Sequence, residues 1–211
     1  MDERVGLPSY PDNFFDLAIV DPPYGSKNIQ GGYTKGIGGK GAAKQISYNR
    51  EVFYMQAPCE RYFSELIRVS KRQIIWGANH FVSKIPIDSS CWIVWDKQNE
   101  NTGYADCELA LTTFNTAVRK ATFRWNGMLQ GDMKNKEKRI HPTQKPVKLY
   151  QWVVSEFCKI GDTILDTHVG SASSLIAFES MGFNYHGFEI DTDYYQVARR
   201  RMSAGIQSAI F

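Results

Sequence analysis

The strongest constraint on the fold comes from the C-terminal third, where strand-like and helix-like segments alternate. DTILD (162–166) is a short apolar run, SSLIAFESMG (173–182) has helical character and ends on glycine, NYHGFEID (184–191) reads as a second strand, and DYYQVARRRMSAGI (193–206) reads as a final helix. Two parallel strands cannot be joined by a tight turn and need a crossover, usually a helix, so this alternation predicts a parallel sheet. Upstream, FDLAIVD (15–21), RQIIWG (72–77), CWIVWDK (91–97) and ELALTTF (108–114) have strand character. Residues 55–70 place Tyr62, Phe63, Leu66, Ile67 and Val69 on the apolar side of an amphipathic helix. A short helix is expected around ANHFVSK. Pro146 opens another helix, which carries Leu149, Trp152, Val153 and Phe157 on one face. The fold class is therefore α/β, a doubly wound and mostly parallel sheet, in one domain over 1–211.

Composition excludes several classes. The chain has 211 residues, 43% hydrophobic and 22% charged, enough to bury a real core. It contains no apolar run of the roughly 20 residues needed to span a bilayer, and MDERVGLPSY lacks a signal-peptide pattern. Cys59, Cys91, Cys107 and Cys158 are widely spaced, without CxxC or histidine pairing. They read as reduced thiols of a cytoplasmic protein with no metal site.

LAIVDPPYGS (17–26) then raises a chemical question, because a core strand ends on a carboxylate followed by two prolines and a tyrosine. Proline fixes φ and removes a donor, so the exit from this strand is stiff. Open α/β sheets bind ligands beyond the carboxyl ends of their strands. Three strand ends qualify here: Asp21 with Pro22, Pro23 and Tyr24; Asp166 with Gly170 and Ser171; and Glu189 with Asp191. In DTILDTHVGSASSLIAF, glycine and small serines let the backbone approach a ligand, and the helix start offers free N–H groups. The absence of GxGxxG and of a following GKS/T argues against a nicotinamide oxidoreductase and a P-loop. Glu189, 23 residues after Asp166, suits the two hydroxyls of a ribose, so a nucleoside cofactor is expected.

Net charge is only +3, yet two segments are strongly basic. Residues 25–50 carry Lys27, Lys35, Lys40, Lys44 and Arg50 without an acid, among seven glycines between Gly25 and Gly41. Arg119 to Lys148 holds nine Lys or Arg against Asp132 and Glu137. Either a polyanion binds along these segments or they are two solvated loops.

In this order the blocks resemble a known family, the S-adenosylmethionine-dependent DNA amino-methyltransferases of the permuted beta class. DPPY (21–24), IIWGANHF (74–81), HPTQKP (141–146), the loop DTHVGSASS (166–174) and GFEID (187–191) carry the resemblance across nearly the whole chain. It implies a Rossmann-like methyltransferase sheet in circularly permuted order, S-adenosyl-L-methionine as cofactor and double-stranded DNA as substrate. It also implies a place in restriction-modification or a related process. The reaction implied is transfer of the methyl group to N6 of a flipped-out adenine at a specific site. The Asp that opens DPPY favours adenine. Alternatives are an N4-cytosine enzyme, an RNA or small-molecule methyltransferase, and a non-catalytic DNA-binding protein that keeps the fold.

The resemblance also assigns roles. Asp21 and the Pro22 carbonyl would accept both hydrogens of the target amine, Pro23 would hold the peptide, and Tyr24 would stack on a base that has left the duplex. Asp21, Asp166, His168, Gly170, Ser171 and Ser173 would surround the methionine part of the cofactor, and Glu189 would take the ribose. Lys145 would pair with the cofactor carboxylate or lie on the surface. His168 would lie against the cofactor or fill space. Thr167, His168 and Ala172 depart from the family's proline, phenylalanine and second glycine, and the Ala172 methyl is expected to intrude where the backbone meets the ligand. Residues 119–141 form a short basic insertion, a minimal target-recognition segment. Within it Lys134, Lys136, Lys138 and Arg139 would meet phosphates, while Arg124, Asn126 and Gln130 suit base edges. Lys27 belongs to a glycine-rich loop expected to order over the DNA. So small a reader favours a homodimer or a recognition site of a few base pairs.

Overall fold

A computed structural model describes residues 6–25, 56–100, 105–126 and 129–208. The predicted glycine-rich loop, with Lys27, lies outside the described residues.

The apolar runs identified in the sequence become strands β1 (Leu17–Val20), β2 (Gln73–Trp76), β3 (Trp92–Asp96), β4 (Cys107–Thr112), β8 (Thr163–Asp166) and β9 (Asn184–Gly187). With β5 (Arg119–Thr122) they form a seven-stranded sheet in the order β5-β3-β4-β2-β1-β8-β9. β1 is parallel to both β2 and β8, β8 is parallel to β9, and β3 is parallel to β5. Only β4 runs against its neighbours β2 and β3, so the other six strands share one direction. The sheet is therefore mostly parallel, as expected.

Helices cover both faces. α1 (Glu60–Val69) links β1 to β2 and buries Tyr62, Phe63, Leu66 and Val69, four of the five positions read as its apolar side. They pack on Ala18, Val20, Ile75 and Leu165 on one face of the sheet. Full burial of a side chain such as Phe63 stabilises the fold by roughly 1.5–3 kcal/mol. α2 (Val147–Phe157), α3 (Ser173–Ser180) and α4 (Thr192–Ser208) supply the other layer, around Leu17, Ile19, Ile74 and Trp76. Pro146 is the N-cap of α2, with φ −70°. The ANHFVSK segment forms two short 3-10 turns, Ala78–His80 and Val82–Lys84.

The basic segment differs from the irregular insertion the sequence implied. Its first four residues are the edge strand β5, aligned on β3. β6 (Trp125–Asn126) and β7 (Leu129–Gln130) then make a two-stranded ribbon. Charged β5 (RKAT) has no apolar alternation to betray it. Its buried residue is Ala121, and it is held by pairing with β3.

Candidate active site

Register brings the predicted strand ends together. Ala18 lies opposite Leu165, and Asp166 lies opposite Gly187, so the DPPY corner, the 166–174 loop and the Glu189 segment leave the sheet side by side. They occupy one rim because β1, β8 and β9 run the same way.

At the corner, the Tyr24 hydroxyl donates to Asp21 Oδ1 at 3.0 Å, and Lys145 Nζ donates to Asp21 Oδ2 at 2.5 Å. Lys145 also reaches the Tyr24 hydroxyl at 3.3 Å and lies 3.1 Å from Glu108 Oε2. Only 4% of the Lys145 side chain is exposed. Glu108 Oε1 accepts from Lys97 at 2.6 Å, which completes an Asp21–Lys145–Glu108–Lys97 chain of alternating charge. Burial raises the Asp21 carboxyl above its ordinary value, the Lys145 charge opposes that rise and Glu108 adds to it. For Glu108, burial works against ionisation, but the Lys145 and Lys97 charges outweigh it and hold the group at about 2. Burial would lower Lys145, and the two carboxylates instead hold it above its ordinary range. Isolated buried charges are costly and paired ones persist, which is why this chain is closed on itself.

Lys145 therefore sits with the DPPY carboxylate. The surface placement read from the sequence gives way to a buried ion pair. The pull of two carboxylates in a dry site decides this. Neither Glu108 nor Lys97 was picked out in the sequence. The one available signal was an acid at the head of the otherwise apolar ELALTTF.

Tyr24 is fixed on several sides. His80 stacks on its ring at 4.7 Å between centroids and 18° between planes. Gly77, at φ +66°, passes so close that an added Cβ would lie 2.0 Å from Tyr24 Cε1. IIWGANHF thus owes its glycine to the tyrosine of DPPY. His80 covers one face of Tyr24, so the base stacking read from the sequence cannot use that face as it stands.

In the 166–174 loop, Asp166 is buried and organises its own turn. Its oxygens accept from the His168 backbone N–H at 2.9 Å and the Ser174 hydroxyl at 2.5 Å. Burial pushes this carboxyl up to about 7 despite those donors. His168 is held neutral, burial lowering it to about 3, and its Nδ1 pairs with Thr167 Oγ1 at 2.9 Å. Thr167 in turn meets the Tyr62 hydroxyl at 2.6 Å. Glu189 receives the Gly170 N–H at 2.7 Å and the Asp191 N–H at 2.9 Å, one on each oxygen. A carboxylate has about four lone-pair sites, so acceptor capacity for a diol remains. Ser171 and Ser173 pair at 3.1 Å, and Arg201 from α4 donates to the Ser171 carbonyl and the Ser173 hydroxyl at 2.7 and 2.8 Å.

Ala172 departs from its expected role. It is the N-cap of α3 in the left-handed region, φ +60° and ψ 22°, fully buried within the core cluster of the α2–α3 face. Its methyl packs inward, so its cost is backbone strain of roughly 1–2 kcal/mol, with no intrusion on a ligand. The residues at the rim fit an adenosyl cofactor by chemistry. A glycine–serine turn, the spare acceptors of Glu189 and the nearby Asp21 and Asp166 carboxyls suit a diol and a cationic sulfur.

The base-reading candidates divide. Gln130 is buried, and its amide group donates to the Glu137 carbonyl at 2.8 Å and accepts the Glu137 N–H at 2.7 Å. It is therefore a loop staple; a buried amide must satisfy itself internally. Arg139 is partly buried and donates to the Pro142 carbonyl, which ties one of its guanidinium nitrogens to the backbone. Arg124, Lys134, Lys136 and Lys138 are exposed. Asn126 is described by its backbone alone. Gln144, also unremarked in the sequence, is buried and accepts the Ile140 N–H at 2.9 Å, while its carbonyl receives Trp125 Nε1 at 2.8 Å. HPTQKP is thus a hub. His141 packs on Tyr194 at 4.4 Å, Gln144 anchors the basic segment, Lys145 joins the corner and Pro146 caps α2. Among the described residues no cluster of metal-ligating side chains occurs, and no helix is long and apolar enough to cross a membrane.

A seven-stranded, mostly parallel Rossmann-like sheet is shared with solved structures. The M1.HpyAVI–SAM complex superposes with a TM-score of 0.51 at 21% identity, covering 90% of this chain and 89% of that one. The cytosine-N4-specific PvuII DNA methyltransferase gives 0.56 at 10% identity, covering 95% and 87%. Residues 93–200 match the DNA methylase family, and the chain belongs to it. Type II methyltransferase M2.DpnII of Streptococcus pneumoniae is 36% identical over 30% of this chain and 24% of its own length. Type II methyltransferase M.HinfI of Haemophilus influenzae is 23% identical over 93% of this chain and 65% of its own. The chain spans less than two thirds of the length of each of these two relatives.

Proposed function

We propose that the protein transfers a methyl group from S-adenosylmethionine to an exocyclic amine of a DNA base, with adenine N6 as the preferred acceptor and cytosine N4 as the alternative. The observation that carries this reading is the meeting of the Asp21–Tyr24 corner and the Gly170–Glu189 turn on one rim, from strands whose neighbours are parallel. Family membership and the order of the blocks, with DPPY ahead of the small-residue loop as in the beta class, support it.

An exocyclic amine is a weak nucleophile because its lone pair is delocalised into the ring. Asp21 and the Pro22 carbonyl accept its two hydrogens and favour a pyramidal nitrogen with an available lone pair. Pro23 keeps that carbonyl in register, and Tyr24 stacks on the extruded base, whose unstacking costs a few kcal/mol. S-adenosylmethionine, when bound, supplies an electrophilic methyl on a sulfonium sulfur. Glu189 holds the ribose, and the Gly170–Ser173 turn holds the methionine portion, with Asp166 keeping the turn in shape. Arg124, Lys134, Lys136 and Lys138 place the segment 119–141 on phosphates. A homodimer enlarges this small footprint, and DNA as substrate fits a cytoplasmic, restriction-modification type of role.

Radiolabelled S-adenosylmethionine with unmethylated genomic DNA tests the reading. Label on adenine with the wild type, and a loss of about 10³-fold in Asp21→Ala, is the expected result. Label on cytosine selects the alternative, and folded protein that labels neither base refutes the proposal.

A further inference from the structure

The part of the site that no family block accounts for is the far side of Lys145. Asp21, Lys145, Glu108 and Lys97 follow one another at 2.5, 3.1 and 2.6 Å, across β1, the HPTQKP segment, β4 and the end of β3. Glu108 Oε2 is buried and makes no hydrogen bond of good geometry, so its tie to Lys145 is one of charge. A lysine with Asp21 as its sole partner would bind that carboxylate one to one and draw electron density from the oxygens that must accept the target amine.

We propose that Glu108 is a positioning residue for the amine-accepting carboxylate. By sharing the Lys145 ammonium it keeps Asp21 available to the substrate, and Lys97 holds Glu108 in turn. This rests on the amino-methyltransferase reading. The groups facing Asp21 are Lys145, Tyr24 and Glu108, with Tyr150 from α2 and Asp166 from β8 behind them. Those facing Glu108 are Lys145, Lys97, Asp21, Tyr24 and His80. The Glu108 charge raises the proton affinity of Asp21 while Lys145 lowers it, so removing Glu108, and freeing its charge by removing Lys97, move Asp21 in opposite directions.

The test is a carboxyl-carbon NMR titration of Asp21 in the full chain, assigned by Asp21→Asn, alongside methyl-transfer pH profiles. In Glu108→Gln the Asp21 midpoint falls, because Lys145 then serves one carboxylate. The acid limb of kcat moves to lower pH with it, and kcat near neutrality drops by roughly tenfold while DNA affinity stays within about twofold. In Lys97→Met the Asp21 midpoint rises. Should Glu108→Gln fail to fold, Lys97→Met carries the test alone. An Asp21 midpoint that stays put in the folded variants overturns the inference whatever the activity. A wild type that transfers no methyl refutes the functional reading and leaves the titration to decide the electrostatics.

Discussion

The buried rim and the basic segment are built on opposite principles. At the rim, charged side chains are dry and paired with each other: Lys145 is 4% exposed and is held between Asp21 and Glu108. In segment 119–141 the uncharged amide Gln130 is buried and, with Gln144 just beyond the segment, stitches the backbone, and Lys134, Lys136 and Lys138 project into water. Chemistry at a single atom needs charges fixed to fractions of an ångström. Binding to a polyanion needs only charges free to meet phosphates.

Breaking the rim has the largest expected consequence. Lys145→Met leaves Asp21 without its cation and Glu108 with Lys97 alone, a loss of about 3–5 kcal/mol. For a chain of this size that lowers the melting temperature by roughly 10 °C. Thermal unfolding by circular dichroism reads it, and a change under about 1 kcal/mol would place the pair in effect on the surface. Next comes Gln130→Ala, which strands the Glu137 N–H and carbonyl and costs about 1–3 kcal/mol of stability without altering which DNA sequence is methylated. Altered sequence preference at full stability would return Gln130 to the base-reading role. Converting Lys134, Lys136 and Lys138 together to alanine should leave stability within about 0.5 kcal/mol. The salt dependence of DNA binding should flatten by roughly 2–3 units of slope. An unchanged slope in filter binding would show that these lysines face away from DNA. The smallest effect is that of Ala172→Gly. Relief of the left-handed strain and loss of a buried methyl worth about 0.8 kcal/mol nearly cancel, leaving stability within about 1 kcal/mol and cofactor affinity unaltered. Tighter cofactor binding would mean that the methyl meets the ligand after all.

Much of the fold was legible. Six strands and the four α-helices of the described residues followed from apolar runs, helix-opening Pro146 and glycine stops, because burial on both faces of a parallel strand leaves a continuous hydrophobic signature. β5 did not, since a charged edge strand held by backbone pairing carries no such mark. In the site, Asp21, Tyr24, Asp166 and Glu189 were visible because acids that end apolar runs stand out. Glu108, Lys97, His80 and Gln144 were not. Each matters through a partner on another segment, as Glu108 does through Lys145, and local pattern holds no trace of that.

Taken alone, the order of residues determined the parallel α/β architecture, the family resemblance and the stiff acid–proline corner, all of which depend on local propensity and period. Only the tertiary structure decided that Lys145 joins Asp21, that Gln130 is a staple and that the Ala172 methyl turns inward. In each case the deciding quantity is whether a group is desolvated and what stands within about 3 Å of it. That is settled when β1, β4, β8 and the HPTQKP segment converge.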